Sequence, residues 1–215
     1  AILLDIQLLK EGIDPSRIAF VGNIMIDTLV ANQSKAKQVS TDNILDSPNQ
    51  PYAILTLHRP SNVDHKETFS SIITALETIA KDMPIIWPIH PRSKKNIEQF
   101  NFSSKINKSI QCINPLGYHE MLNLVTNAHL TLTDSGGLQE ETTFLGVPCI
   151  TIRENTERPI TITEGTNQLA GTTTEGILSA YQNIQKQKTK NCPKYWDGQT
   201  TSRIINHLKK NFFNI

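Results

Sequence analysis

The sequence lacks several features that would mark a particular class of protein. Its 21 basic and 20 acidic residues leave a net charge of +1, which gives no electrostatic reason to expect nucleic acid or an anionic membrane surface as a partner. No apolar run is long enough to span a bilayer, and the amino terminus has no signal-peptide pattern. We therefore expect a cytoplasmic protein without a membrane partner.

Cysteine is scarce as well. The three cysteines, Cys112, Cys149 and Cys192, are widely spaced and match neither a disulfide framework nor a set of zinc ligands. No spacing of histidines and carboxylates indicates a metal site. A reducing compartment suits such a sequence, and we expect no metal and no cofactor.

The sequence does contain a regular alternation of apolar strands and amphipathic helices. Several of the strands are continuously apolar, which is typical of a parallel sheet covered on both faces. We predict an α/β fold with a doubly wound, Rossmann-like parallel sheet. The predicted strands are 17–23, 52–57, 85–89, 109–113, 130–133, 149–152 and 168–171, and the predicted helices are 1–10, 25–31, 66–81, 94–100, 118–126, the segment after Gly137, 175–185 and 201–211.

The chain divides into three parts on these patterns. Residues 1–50 are predicted to hold a connecting helix, the first strand and helix, and a polar linker at 34–50. Residues 51–200 are predicted to form the main, ligand-binding lobe, and 201–215 a carboxy-terminal helix that packs toward an amino-terminal lobe. Because the chain starts at Ala1 inside a predicted helix, we interpret it as the back portion of a longer protein.

The most informative segment runs from Leu130 to Glu141, where an apolar strand stops at Ser135-Gly136-Gly137 and leads into a helix. Glycines let backbone N–H groups approach a ligand closely, and a helix N-terminus attracts anions, so the segment predicts a phosphate site. Glu140 and Glu141 are expected in the first helical turn, suited to accept hydrogen bonds from sugar hydroxyls. An ordinary βα turn with acidic residues fits the same pattern.

Histidine, arginine and acidic residues follow four of the predicted strands. In parallel sheets the ligand lies beyond the carboxyl ends of the strands, so these residues are expected on one functional edge. They are His58 and Arg59, His90 and Arg92, Asp134 to Gly137, and Arg153 to Arg158.

Two kinds of chemistry follow from these residue types. Arg59 and Arg158 are suited to hold a diphosphate by their forked guanidinium groups, and histidines can donate to a phosphate. His90 also fits a structural role before Pro91. A hydrolase triad of Ser135, His58 and Asp134 is a weak alternative, because Ser135 lacks the flanking-glycine elbow and Asp134 is its neighbour in sequence.

Longer ordered motifs extend along nearly the whole chain. They are Val21-Gly22-Asn23 with Ile26-Asp27-Thr28, Leu57-His58-Arg59, Pro88-Ile89-His90-Pro91, Pro115-Leu116-Gly117-Tyr118, Thr133 to Glu141, Leu145-Gly146-Val147-Pro148, Arg153 with Thr156 to Pro159, Glu164-Gly165-Thr166-Asn167, and Asp197-Gly198. Together they closely resemble the non-hydrolysing UDP-N-acetylglucosamine 2-epimerases.

This resemblance implies one lobe of a two-lobed fold like that of the B-type nucleotide-sugar glycosyltransferases, with this chain as the second, UDP-binding lobe. The family interconverts UDP-GlcNAc and UDP-ManNAc by eliminating UDP to give a 2-acetamidoglucal and adding it again. The first lobe supplies a Gly-Thr-Arg-Pro-Glu motif and the carboxylates proposed as acid and base, which this sequence lacks. The resemblance also implies a homodimer, and a fragment that binds UDP with little or no turnover.

The resemblance assigns roles to matching residues. His58 is the expected catalytic residue and contacts the diphosphate, which the segment Ser135-Gly136-Gly137 cradles. Glu141 binds the ribose hydroxyls, and Arg158 contacts the nucleotide-sugar.

The remaining matches concern the base and a second site. The backbone of Leu116 and the side chain of Met121 border the uracil. Arg59, besides its diphosphate role, and His90 match positions that contact a second, activating UDP-GlcNAc in many bacterial members. Ile160 stands where many members have glutamate, which we interpret as a subfamily difference.

Three alternatives remain at this stage. A retaining B-type glycosyltransferase would share the phosphate turn and the ribose-binding glutamate, and a hydrolysing epimerase would release free ManNAc and UDP. A non-catalytic nucleotide-sugar sensor or remnant would bind without turnover. A purely structural module fits least well, because nothing structural requires arginine and histidine at several strand ends.

Overall fold

A parallel sheet organises the chain, in a computed structural model that describes residues 7–41, 44, 50–106, 110–184 and 192–213. Within these residues six strands form one sheet in the order β3-β2-β1-β4-β5-β6, every pair parallel. The predicted doubly wound α/β fold is confirmed. The strands are β1 (Ala53–Thr56), β2 (Ile85–Pro88), β3 (Ile110–Ile113), β4 (Leu130–Thr133), β5 (Cys149–Thr151) and β6 (Asn167–Leu169).

Helices cover both faces of the sheet. Adjacent residues of β1 point to opposite faces, so Leu55 packs in one apolar cluster and Ile54 in another. The described helices are α1 (Ile24–Ala36), α2 (Pro60–Val63), α3 (Lys66–Ile79), α4 (Pro91–Gln99), α5 (Tyr118–Asn127), α6 (Gly136–Leu145), α7 (Ile160–Thr163), α8 (Thr174–Ile184) and α9 (Thr200–Leu208), with a 3₁₀ turn at Pro15–Arg17 and a π-helical end at Lys209–Phe213.

Apolar spacing determines how the helices pack. The predicted face of α3 is completely buried and lies on the sheet; it consists of Phe69, Ile72, Ile73, Leu76 and Ile79. Helix α6 ends at Gly146, whose φ of +73° is the left-handed conformation that glycine adopts readily. None of the helices in the described ranges is long and apolar enough to cross a membrane.

One predicted strand is wrong. Residues 18–23 belong to no strand, because they lie against the carboxy-terminal part of the chain instead of the sheet. The Phe20 ring stacks on Tyr195 at 5.1 Å between centroids, and an Arg203 N–H donates to the carbonyl of Val21 at 3.3 Å. An apolar run of this length can be partly covered by ring packing instead of strand pairing, and none of residues 18–23 is fully buried.

The other differences concern segment ends. Helix α1 continues to Ala36, which is buried, and so takes the first residues of the predicted linker. Residues 42, 43 and 45–49 of that linker and residues 1–6 of the predicted helix 1–10 lie outside the described residues. Helix α9 begins at Thr200, where the N–H groups of Thr200 and Thr201 donate to the carboxylate of Asp27 at 3.0 and 2.6 Å.

Candidate functional site

The site lies where the strand order reverses. β1 and β4 are neighbours in the sheet although two strands separate them in sequence, so the chain leaves them in opposite directions and opens a crevice at their carboxyl ends. A cleft of about 400 Å³ occupies this position. The predicted site residues among those that line it are His58, His90, Leu116, Met121, Ser135, Gly137 and Glu141.

The N-terminus of α6 forms one wall of this cleft. No side chain caps the helix, and the Ser135 N–H is already bonded to Thr133 Oγ1 at 2.9 Å. The next N–H groups, beginning at Gly136, have no acceptor within a helix. A Cβ atom on Gly136 or Gly137 would meet nothing within 4 Å, and neither residue has a positive φ. The glycines therefore leave open space above unpaired N–H donors, as an anion requires.

The start of α6 also corrects one expectation. The helix begins at Gly136, and its first turn contains no acidic residue, because Ser135 is the N-cap. Glu140 and Glu141 thus follow the first turn. Of the two, Glu141 lines the cleft, while Glu140 points toward another cavity.

His58 is held by a buried acid. Asp134 is fully buried, and its Oδ1 lies 3.0 Å from His58 Nδ1. The hydrogen bond to Asp134 raises the pKa of His58 above its ordinary value, while partial burial and the charge of Arg59 oppose this rise. The protonated ring is favoured, which suits contact with an anion.

Glu141 is paired with an aromatic residue. Tyr118 lines the same cleft, and its hydroxyl donates to Glu141 Oε1 at 3.3 Å. Burial raises the pKa of Glu141, and burial together with Glu141 raises the pKa of Tyr118 to about 12. The bond leaves the other oxygen of Glu141 available to ligand hydroxyls.

His90 combines both of its predicted roles. It is the N-cap of α4, where its Nδ1 accepts from the Arg92 N–H at 3.1 Å. Its ring also lines the cleft, 5.5 Å from the His58 ring between centroids. Because Nδ1 accepts, the ring proton is on Nε2.

The arginines lie outside the lining of this cleft. Arg59 donates by Nε to the Asp134 carbonyl at 2.9 Å, and its terminal nitrogen is 3.6 Å from Glu157. Arg153 donates to the same Glu157 carboxylate from both terminal nitrogens, at 2.5 and 2.7 Å. These hydrogen bonds lower the pKa of Glu157 to about 2, so the carboxylate stays charged between the two cations.

Arg158 borders a separate cavity of about 310 Å³. Its Nε lies 2.9 Å from Glu140 Oε1, and burial raises the pKa of Glu140 while Arg158 opposes this. Ile160 and Trp196 line the same cavity. The structure therefore brings His58, the glycines and Glu141 together, and separates Arg158 from them.

Asp134 and Tyr118 are site residues whose present role the sequence alone did not reveal. An acid placed directly after a predicted buried strand is a signal for Asp134, because a buried carboxylate needs several donors. Tyr118 gave no comparable signal, since its bond to Glu141 joins residues from two different helices.

An uncapped helix N-terminus with paired glycines, placed at the switch point of a doubly wound sheet, is the kind of place where α/β domains of this class bind anionic ligands. The family model described as UDP-N-acetylglucosamine 2-epimerase matches residues 5–209. The chain belongs to this family.

Individual relatives agree with this membership. A UDP-N-acetylglucosamine 2-epimerase of Methanococcus maripaludis is 40% identical over 207 residues, which are 93% of this chain and 57% of that protein. The structure of UDP-GlcNAc 2-epimerase from Methanocaldococcus jannaschii matches with a TM-score of 0.84 and 38% identity, over 96% of this chain and 60% of the other. The crystal structure of the Methanocaldococcus jannaschii enzyme in complex with UDP-GlcNAc and UDP matches with a TM-score of 0.81 and 39% identity. This match covers 93% of this chain and 57% of the other. This chain thus spans little more than half the length of these relatives.

Proposed function

We propose that this chain is the UDP-binding lobe of an enzyme that interconverts UDP-GlcNAc and UDP-ManNAc. The observation that carries the proposal is the open space above Gly136 and Gly137, at the uncapped N-terminus of α6 and in the same cleft as His58. Within the described part of the chain, no neighbouring atom requires glycine at either position. A diphosphate seated there would explain both.

The cleft supports a specific orientation of the nucleotide. The diphosphate lies on the N–H groups at the start of α6, and its oxygens accept a hydrogen bond from the His58 ring. Glu141 accepts from the ribose hydroxyls, and Leu116 and Met121 border the uracil at the far end of the same cleft. Arg158 contacts the sugar side, where it already neutralises Glu140.

The reaction requires groups beyond this chain. Epimerisation at C2 needs a base on one face of the sugar and an acid on the other, within hydrogen-bond distance of the carbon. We assign this base and this acid to another lobe, which would correspond to the part of the relatives that this chain does not span. The base removes the C2 proton as the C1–O bond to UDP breaks, which gives 2-acetamidoglucal. UDP then forms the C1–O bond again, and the acid delivers a proton to the opposite face of C2. A cytoplasmic homodimer and an activating site at Arg59 and His90 are further parts of the proposal, supported by the resemblance.

Calorimetry with UDP tests the site. We expect this chain to bind UDP, because the diphosphate contacts lie within it. The proposal would be wrong if no binding is detected at about millimolar ligand, where even weak complexes with a free energy near −4 kcal/mol would form.

Hydrogen exchange at C2 tests the reaction. A protein that includes the preceding lobe should incorporate deuterium from heavy water at C2 of UDP-GlcNAc, and this chain should not. A glycosyltransferase would need an acceptor and give no exchange, a hydrolysing enzyme would release ManNAc and UDP, and a sensor would bind without turnover. Rapid epimerisation by this chain alone would contradict the division between lobes.

A further inference from the structure

Asp134 is a fully buried carboxylate beside the cleft, and it does not line the cleft itself. Its Oδ2 accepts from the backbone N–H groups of His58 and Arg59 at 2.9 and 2.8 Å, and from Asn62 Nδ2 at 3.3 Å. Its Oδ1 faces His58 Nδ1 at 3.0 Å. One buried carboxylate thus holds both the turn after β1 and the ring that this turn carries.

The chemistry of the pair determines which ring nitrogen faces the ligand. A carboxylate is only an acceptor, so His58 Nδ1 must carry a proton toward Asp134. Nε2 is then the nitrogen left for the cleft, and it becomes a donor to an anion only when the ring is also protonated there. An acid behind the ring stabilises this doubly protonated form.

The surroundings make Asp134 the source of negative charge at the ring. The positive charge of Arg59 in the same turn lowers the pKa of His58. The charge of Asp134 also attracts Arg153, which follows β5. The titratable groups that face the cleft from other elements are His90 of the α4 N-cap, and Glu141 and Tyr118, which bond to each other.

We propose that Asp134 is a positioning residue for the diphosphate site: it keeps His58 as an imidazolium with Nε2–H directed at the ligand, and it sets the β1 turn at the correct distance from the start of α6. The inference rests on the proposed function, because it requires an anion in the cleft. Asp134 itself touches no substrate in this account.

The test is Asp134→Asn, which keeps the volume and an oxygen for the backbone N–H groups but removes the charge. In the unliganded chain, NMR should show His58 titrating above its ordinary pKa, and at or below that value in the variant. UDP affinity near neutral pH should fall by about tenfold to a hundredfold, as for loss of a hydrogen bond to a charged group. The wild-type affinity should also weaken as pH rises through the raised pKa of His58, and the variant should lose this dependence.

A double-mutant cycle separates positioning from folding. In a His58→Gln background Asp134→Asn should add little further loss of UDP affinity, because Asp134 acts through the ring. Additive losses would mean that Asp134 acts on the turn alone and would overturn the proposal. Asp64→Asn is the matched control: it breaks an exposed pair with Arg92 at 2.7 Å outside the cleft and should leave affinity and the His58 titration unchanged.

The outcomes remain distinguishable from failure of the proposed function. If the wild-type chain binds no UDP but His58 titrates high, the Asp134 contact is supported and the nucleotide assignment is wrong. If the Asp134→Asn chain does not fold, the wild-type titration decides: a His58 pKa at or below its ordinary value overturns the proposal.

Discussion

At the scale of single residues, a substitution at Gly137 should affect ligand binding without reducing the stability of the fold. A Cβ atom at this position meets no atom of the described residues within 4 Å, and the backbone is not left-handed. Gly137→Ala should therefore leave the free energy of unfolding unchanged or raise it by up to about 1 kcal/mol, because alanine loses less backbone entropy. The added methyl group should weaken UDP binding about tenfold or more.

Gly165 provides the contrasting control for this prediction. Its Cβ would run into the Thr143 side chain and the Thr161 carbonyl oxygen, so Gly165→Ala should lower the melting temperature. Thermal unfolding and UDP calorimetry on both variants measure the two effects. Unchanged UDP affinity in Gly137→Ala would contradict a phosphate at the start of α6.

The ion pair between Glu157 and Arg153 can be tested by the pH dependence of stability. Its pKa is lowered to about 2 by Arg153, so its contribution to stability is complete above the ordinary glutamate pKa and is lost as pH falls toward 2. Glu157→Gln should destabilise the chain at neutral pH by at most about 1 kcal/mol, since the carboxylate is half exposed. Melting curves should converge with those of the wild type near the acid limit. An equal difference at all pH values would contradict the ion pair.

At the scale of elements, α9 depends on an acid from another helix. Asp27 of α1 accepts from the first N–H groups of α9, which no residue of α9 itself caps. Asp27→Ala should destabilise this helix end by about 1 kcal/mol, as for a lost N-cap. Hydrogen exchange at Thr200 and Thr201 should accelerate.

Asp14→Ala is the matched control for Asp27→Ala, because it removes a capping aspartate at another helical turn. Asp14 caps the short 3₁₀ turn at Pro15–Arg17 through the Ser16 N–H at 2.8 Å. Its loss should leave exchange in α9 as in the wild type. If Asp27→Ala also leaves it unchanged, the cross-helix cap does not stabilise α9.

At the scale of the whole molecule, α9 presents an apolar side to solvent. Ile205 is 46% exposed and Leu208 is 42% exposed. From the sequence we predicted that this helix packs toward an amino-terminal lobe, and that stays a prediction. Ile205→Lys should change the stability of this chain by no more than about 0.5 kcal/mol, as at other exposed positions.

The same substitution should cost more when the preceding lobe is present. Denaturant unfolding of both forms measures this, with Asn206→Lys on the same helix as the control. Equal effects of Ile205→Lys in the two forms would contradict the packing. The comparison tests the division of the protein into lobes independently of any ligand.

The sequence by itself determined the alternation of strands and helices and the edge of the sheet at which the candidate site lies. Both depend on local properties: apolar periodicity, turn residues, and the rule that parallel strands share a carboxyl edge. His58 and Ser135 could be placed at one edge in this way because each follows closely on a strand, and Glu141 because it lies on the helix that begins there.

Only the tertiary structure decided which charges meet. Arg158 pairs with Glu140 at a separate cavity, Asp134 holds His58 from a strand 75 residues or more away along the chain, and residues 18–23 pack on Tyr195 instead of joining the sheet. Such contacts join segments far apart in sequence, and neither propensity nor periodicity carries information about them. They depend on the strand order of the sheet, which sets distant residues side by side.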